Sequence, residues 1–385
     1  MRILKISRKT RVEPMIYTRF GLFALILWAQ AAINTVAAQT PSATIPPLPA
    51  ASASAAGAAQ GDSKGINDWL LRAHESSKKR AYIGTYVLSS GGAMSTAKIW
   101  HVCEGDQQME RVETLTGAPR SIFRHNDKVV TFMPEQKVVR TEKRELSGSF
   151  PDLVQSANNK IADFYSLKTE GFDRIAGLDA DVVLLQPKDN LRFGYRVWTE
   201  QKKGLVVKLQ TLDIDGKLLE QAAFSELQLD APVKMDKLVQ MMGKVSGYRE
   251  ERPVLVKTTA KAEGWTLKSS VPGFQPISCY KRPAASATSN AAGNIGSGGV
   301  GLGGGGAASA ANTDEPMQWI FSDGLASVSL FVEPFDRQRH DKETSAVMGA
   351  TQSISKQLGS YWLTVMGEVP LQTLRLFASG LERKK

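Results

Sequence analysis

The sequence predicts an α+β fold that is mostly antiparallel β. Three observations lead there. From Tyr82 onward apolar residues recur at every second position, Gly, Asn, Asp and Ser punctuate the runs every few residues, and helical spacing appears at only a few places. A long meander with few helices must curl and bury one face, which gives a half-barrel closed by helices. A smaller sheet-plus-helix domain follows it.

The elements follow in order. Ile66, Trp69, Leu70, Ala73 and Ser77 share one face of a short helix that leaves Arg72, Glu75 and Lys79 in water. Tyr82–Leu88 begins the strands and ends at Gly91-Gly92. Short strands are then expected at Ala93–Val102, Gln108–Leu115, Ser121–Arg124 and Lys128–Met133. The polar stretch 149–159 interrupts them. Strands resume at Phe164–Ile175 and Asp181–Gln186, followed by hairpins at Gln201–Gly204 and Asp213–Gly216. The half-barrel spans 65–230, and 231–254 reads as a linker with some helix. In the second domain, 255–385, Trp265, Phe274 and Ile277 are apolar anchors, and Met317–Phe321 and Leu325–Val332 form a hairpin across Ser322–Gly324. Two further strands, Met348–Ser355 and Tyr361–Val365, precede a helix that Pro370 starts, with Leu371, Leu374, Phe377 and Leu381 on one side.

Residues 1–38 read as an export signal. Arg2, Lys5, Arg8, Lys9, Arg11 and Arg19 form a basic start, Phe20–Ala32 is apolar, and Val36-Ala37-Ala38 supplies small residues before a cut near Ala38. Met15 is an alternative start. An uncleaved anchor competes with this reading, but the apolar run is shorter than the roughly 20 residues that span a bilayer. The leader holds six Lys or Arg and one Glu, so five of the +10 net charges leave with it and +5 remain. Those remaining charges are interspersed and form no stripe, so nucleic acid is not an expected partner. Segment 39–64, rich in Pro, Ala and Ser, is expected to be a tether. Segment 283–314, rich in Gly, Ala and Ser, reads as an insertion too poor in apolar residues to order itself.

Export also bears on Cys103 and Cys279. An oxidising compartment leads to the expectation of a disulfide between them, joining the two domains, with two unrelated buried thiols as the other reading.

No pattern of catalytic chemistry emerges. Gly296-Ser297-Gly298-Gly299-Val300-Gly301 matches G-x-G-x-x-G formally, yet a dinucleotide site needs a strand before it and a helix after it, which this composition does not provide. His101 and Cys103 share a strand face, but His74, His125 and His340 are scattered without ligand spacing, so neither a metal nor another cofactor is expected. His125-Asn126-Asp127 is ordinary turn chemistry. Binding remains. The inward positions include Tyr86, Trp100, Phe123, Phe132 and Trp198, candidates for the wall of an apolar cavity that takes an acyl chain. A filled core shows the same alternation, so both readings stand.

Several blocks, taken together, resemble one family. His101–Val130 is the first block; Tyr195–Trp198, Gly204–Lys208 and Asp215–Gln221 form the second; Ser322–Ser329 and Val365–Pro370 form the third. In this order, from about Trp69 to about Phe377, they resemble the MucB/RseB family of periplasmic regulators. The resemblance implies a lipoprotein-carrier-like fold for the half-barrel. It also implies a periplasmic regulator that binds the periplasmic segment of a membrane anti-sigma factor, protects it from proteolysis, and senses a lipid, lipopolysaccharide or lipoprotein. A homo-oligomer is compatible with it. Within the third block Asp323, Gly324, Leu325, Glu368, Val369 and Pro370 flank strand ends, so they are the candidate partner-binding residues. The alternative is a periplasmic lipid or lipoprotein carrier, which needs only the half-barrel.

Overall fold

The computed structural model describes residues 59–143, 150, 160–282, 315–340 and 342–384. The export signal, the tether up to residue 58, the polar stretch apart from Phe150, and the insertion 283–314 lie outside the described residues.

The first helix, α1 (Ala59–Lys79), turns Ile66, Leu70 and Ala73 inward at helical spacing. The alternation from Tyr82 becomes β1 (Tyr82–Ser90), β2 (Ala93–Glu104), β3 (Gln107–Thr114), β4 (Ser121–His125), β5 (Lys128–Met133) and β6 (Val138–Lys143). Turn chemistry sets the breaks. Asn126, between β4 and β5, takes φ 51 while its side-chain oxygen accepts from the Gln108 N–H at 2.9 Å. A short α2 (Ile161–Phe164) leads into β7 (Tyr165–Ile175), β8 (Leu178–Pro187), β9 (Gly194–Glu200), β10 (Val206–Leu212) and β11 (Leu218–Leu229). Next come α3 (Met235–Met242) and β12 (Arg249–Glu251).

These strands form one 12-stranded sheet in the order β12-β6-β5-β4-β3-β2-β1-β11-β10-β9-β8-β7. Every pairing is antiparallel except β12 with β6, which is parallel. The linker reading of 231–254 therefore needs correction. Met235, Leu238 and Met242 of α3 cover Val102, Met109, Phe123 and Phe132, and β12 extends the sheet edge, so this segment belongs to the first domain. The periodicity of a three-residue strand is too short to read from sequence.

The second domain carries a seven-stranded sheet, β13-β15-β16-β17-β20-β19-β18. Its strands are β13 (Val256–Lys257), β15 (Gln275–Lys281), β16 (Met317–Ser322), β17 (Ser327–Pro334), β18 (Thr344–Met348), β19 (Thr351–Leu358) and β20 (Tyr361–Gly367). A small pair, β14 (Trp265–Leu267) with β21 (Leu381–Arg383), closes one end. The helix α4 (Leu371–Gly380) has Pro370 as its N-cap and buries Leu374 and Phe377 against Phe274, Phe321 and Val365. Each such fully buried side chain contributes about 1.5–3 kcal/mol relative to exposure.

The expected disulfide is absent. Both cysteines are free thiols. Cys103 lies half-buried near the far end of β2, while Cys279 sits in the core of the second sheet, so the two belong to separate packing units. Burial pushes the Cys279 thiol up to about 11 and raises Cys103 as well, which keeps both protonated.

Candidate functional site

The aromatic candidates do not line one cavity. Adjacent strand residues point to opposite faces, so Ile99 and Trp100 part company on β2. Trp100, Phe123 and Phe132 fall on the α3 side, where Phe123 meets Phe132 at 5.6 Å and Phe132 meets Tyr248 at 5.3 Å. The Arg111 guanidinium lies 4.6 Å over Trp100, which puts that ring at a polar edge. These three belong to a packed core under a helix, which corrects their assignment as cavity wall. Tyr86 and Trp198 belong to a different cluster with Tyr82, Ile99 and Phe224. There Tyr86, Phe150 and Phe224 form an aromatic group with ring centroids 5.0–6.0 Å apart. Trp198 is tethered separately: its indole N–H donates to Asp173 at 3.0 Å and Lys208 sits 4.2 Å over its ring.

The partner candidates converge on a different place, the seam between the domains. Asp323, Gly324, Leu325, Val369 and Pro370 are all buried, which corrects the expectation of loops free to reach a partner. The Ser322–Ala326 turn folds on itself: Asp323 Oδ1 accepts from the N–H groups of Leu325 (3.0 Å) and Ala326 (2.8 Å). That leaves Oδ2 facing the first domain, where Arg192 Nε donates to it at 2.8 Å and the Tyr165 hydroxyl at 3.3 Å. Burial raises the Asp323 carboxyl while Arg192 and the two backbone N–H groups lower it. Tyr165 is pushed well above its ordinary value, by burial first and Asp323 second, so it stays a neutral donor.

Apolar groups cross the seam in both directions. Leu325 enters the first domain's core beside Ile66, Leu70 and Tyr195, and Leu191 packs against the core of the second. The first turn of α4 holds the same loop, since Thr373 Oγ1 donates to the Leu191 carbonyl at 2.8 Å and Gln372 donates to that of Asn190. A second clasp lies at the hairpin ends. Glu220 accepts from the Ser90 hydroxyl at 3.2 Å and from the Ala350 N–H, and burial raises its carboxyl. Glu368 retains an exposed edge, yet its carboxyl is crowded by protein and is pushed up to about 7, by burial first and Glu220 second. Water at that edge screens part of the shift. Tyr195, buried between these acids, has a hydroxyl with no hydrogen-bond partner among the described residues.

Residues 65–242 match the MucB/RseB N-terminal domain, and residues 259–382 match the MucB/RseB C-terminal domain. The chain belongs to the MucB/RseB family. A relative in this family, the sigma factor AlgU regulatory protein MucB of Pseudomonas aeruginosa, is 28% identical over 337 residues, covering 82% of this chain and 90% of its own. The sigma-E factor regulatory protein RseB of Haemophilus influenzae is 22% identical, covering 75% of this chain and 82% of its own. Among solved structures, MucB in complex with MucA(peri) superposes with a TM-score of 0.57 at 25% identity, over 83% of this chain and 98% of that one. A second Pseudomonas aeruginosa MucA/MucB complex gives 0.58 at 25% identity, over 83% and 99%. The family members named here are regulatory proteins.

Sequence reasoning missed the first-domain half of the seam. Asp189, Leu191 and Arg192 lie in what reads as an ordinary polar hairpin loop, and nothing local marks Arg192 as buried. Its role depends on Asp323, which is 131 residues away. Among the described residues no helix is long and apolar enough to cross a membrane, and no three His, Cys, Asp or Glu side chains gather as a metal site.

Proposed function

We propose that this protein is a periplasmic regulator that binds the periplasmic segment of a membrane anti-sigma factor and withholds it from proteolysis. The observation that carries this reading is the match to both family domains, in order, on one chain, together with likeness to MucB in its MucA(peri) complex across both domains. The physical route is ordinary linkage: proteolysis acts on an extended segment, and a partner that covers the segment lowers the population open to cleavage. No enzymatic step is required. The signal is an envelope lipid, lipopolysaccharide or lipoprotein, received by the first domain. A carrier needs the first domain alone, whereas here Leu325 and Leu191 are exchanged across a buried seam, which favours a two-domain regulator.

Calorimetry with the periplasmic segment of the anti-sigma factor, followed by limited proteolysis of that segment, tests the proposal. Saturable binding with slowed cleavage is expected. A segment cut equally fast with and without saturating protein would overturn it.

A further inference from the structure

Arg192 is fully buried and is the one Arg or Lys among the described residues that is. Each of its nitrogens is engaged: Nε with Asp323 at 2.8 Å, Nη1 with Asp189, and Nη2 with the Pro272 carbonyl at 2.6 Å. Its plane lies between two rings, 4.3 Å from Phe164 and 5.1 Å from Phe274. Asp189 and Phe164 belong to the first domain; Asp323, Pro272 and Phe274 belong to the second. The 272–274 turn of the second domain fits closely around this side chain. Gly273 takes φ +83, and a Cβ there would stand 2.0 Å from Arg192 Nη2.

A buried ion pair is weak evidence for stability, because an apolar replacement of both partners is often as stable. What such a pair supplies is direction. The exchanged leucines attract without preferred angle, whereas a guanidinium fork satisfies its partners in one geometry only. The covalent link between the domains is short, running from the end of β12 at Glu251 to the start of β13 at Val256. It limits separation but not rotation.

We infer that Arg192 is a positioning residue that fixes the angle of the second domain against the first, and that anti-sigma binding depends on this fixed angle. The second clause rests on the proposed function. If the binding-competent angle falls to about a tenth of the population, the apparent affinity falls about tenfold.

The test uses the mature two-domain protein with R192M, R192K and the double variant R192M/D323N, in which D323N removes the charge that R192M leaves unpaired but keeps the side-chain oxygen that accepts from the Leu325 and Ala326 N–H groups. Hydrogen exchange at 273–274, 323–326 and 372–373 is expected to accelerate about tenfold or more in R192M, with β1, β11, β17 and β20 unchanged. Small-angle scattering should show a broader distance distribution, and calorimetry a loss of anti-sigma affinity of about tenfold or more. R192K, which keeps the charge without the fork, should fall between wild type and R192M, and it preserves the test if R192M does not fold. The double variant separates the roles: it should recover thermal stability without recovering affinity. Recovery of both would make Arg192 merely structural, and unchanged seam exchange in R192M and R192K would overturn the inference outright. A wild-type protein that binds no anti-sigma segment would sink the proposed function, while exchange and scattering would still decide whether Arg192 fixes the angle.

Discussion

Replacing Gly84 with Ala asks whether the aromatic cluster of the first domain is filled or hollow. Gly84 sits in β1 with ordinary extended backbone, so an added methyl group causes no strain of its own. Its Cβ would stand 2.4 Å and 2.6 Å from two ring carbons of Phe224 and 3.0 Å from the Glu226 carbonyl oxygen. The ring cannot retreat easily, because Tyr82, Tyr86 and Phe150 surround it at 6.5, 6.0 and 5.0 Å. Overpacking of this kind costs about 1–3 kcal/mol. Against it stands a gain of about 0.4–1 kcal/mol from restricting the unfolded chain. Taken at their midpoints, about 2 against about 0.7 kcal/mol, a filled cluster gives a net loss of about 1.3 kcal/mol, or roughly 3–5 °C in melting temperature for a domain of this size. A hollow one lets Phe224 swing aside, and the sign reverses. Differential scanning calorimetry reads the difference directly. A melting temperature equal to or above wild type would refute the filled reading and restore an open cavity beside Tyr86.

Three further predictions follow from the seam and the thiols. Tyr195→Phe removes a buried hydroxyl with no hydrogen-bond partner among the described residues, so urea denaturation should show stability unchanged or raised by up to about 1 kcal/mol; a clear loss would reveal an ordered partner. Glu368 has its folded value raised from 4.5 to about 7, so its contribution to stability is full below about pH 4.5 and fades as pH rises towards 7. The drop in melting temperature between pH 5 and pH 7.5 should therefore be smaller in E368Q than in wild type, and equal drops would rule out this carboxyl. With both cysteines free, denatured and unreduced protein should take up two equivalents of a thiol reagent, and reductant should leave the melting temperature unchanged. One bridged pair, seen as no uptake, would contradict the structure.

The local grammar of the chain was readable and its long-range pairings were not. Alternation placed β1 to β5, the turns at Gln201–Gly204 and Asp213–Gly216 became the β9–β10 and β10–β11 hairpins, and Pro370 starts α4. These depend on neighbours within a few residues. Which face a ring occupies depends on register, and so alternation alone groups Trp100 and Phe123 with Tyr86 although α3 covers them. The same limit explains Asp323. Its sequence context is that of an exposed turn, and it is buried where Arg192 and Tyr165, more than 130 residues earlier in the chain, reach it. Oxidising surroundings permit a disulfide, but they do not bring Cys103 and Cys279 out of separate cores.

The place of β1 inside the large sheet has a consequence for how this chain acquires its shape. Its neighbours are β2, immediately downstream, and β11, whose residue Leu229 pairs with Tyr82. The meander from β1 to β6 can form once residue 143 is available, yet one side of β1 stays bare until residues 218–229 arrive. For a chain that crosses the membrane unfolded and N-terminus first, that interval lasts while residues 144–229 emerge. Throughout it the emerging sheet offers, along the β11 side of Tyr82–Ser90, the unpaired N–H and C=O groups of every second residue, a template on which another unfinished copy can add its own strand. Assembly of the first domain is thus slow by topology, and the hazard it runs is aggregation before β11 closes the row.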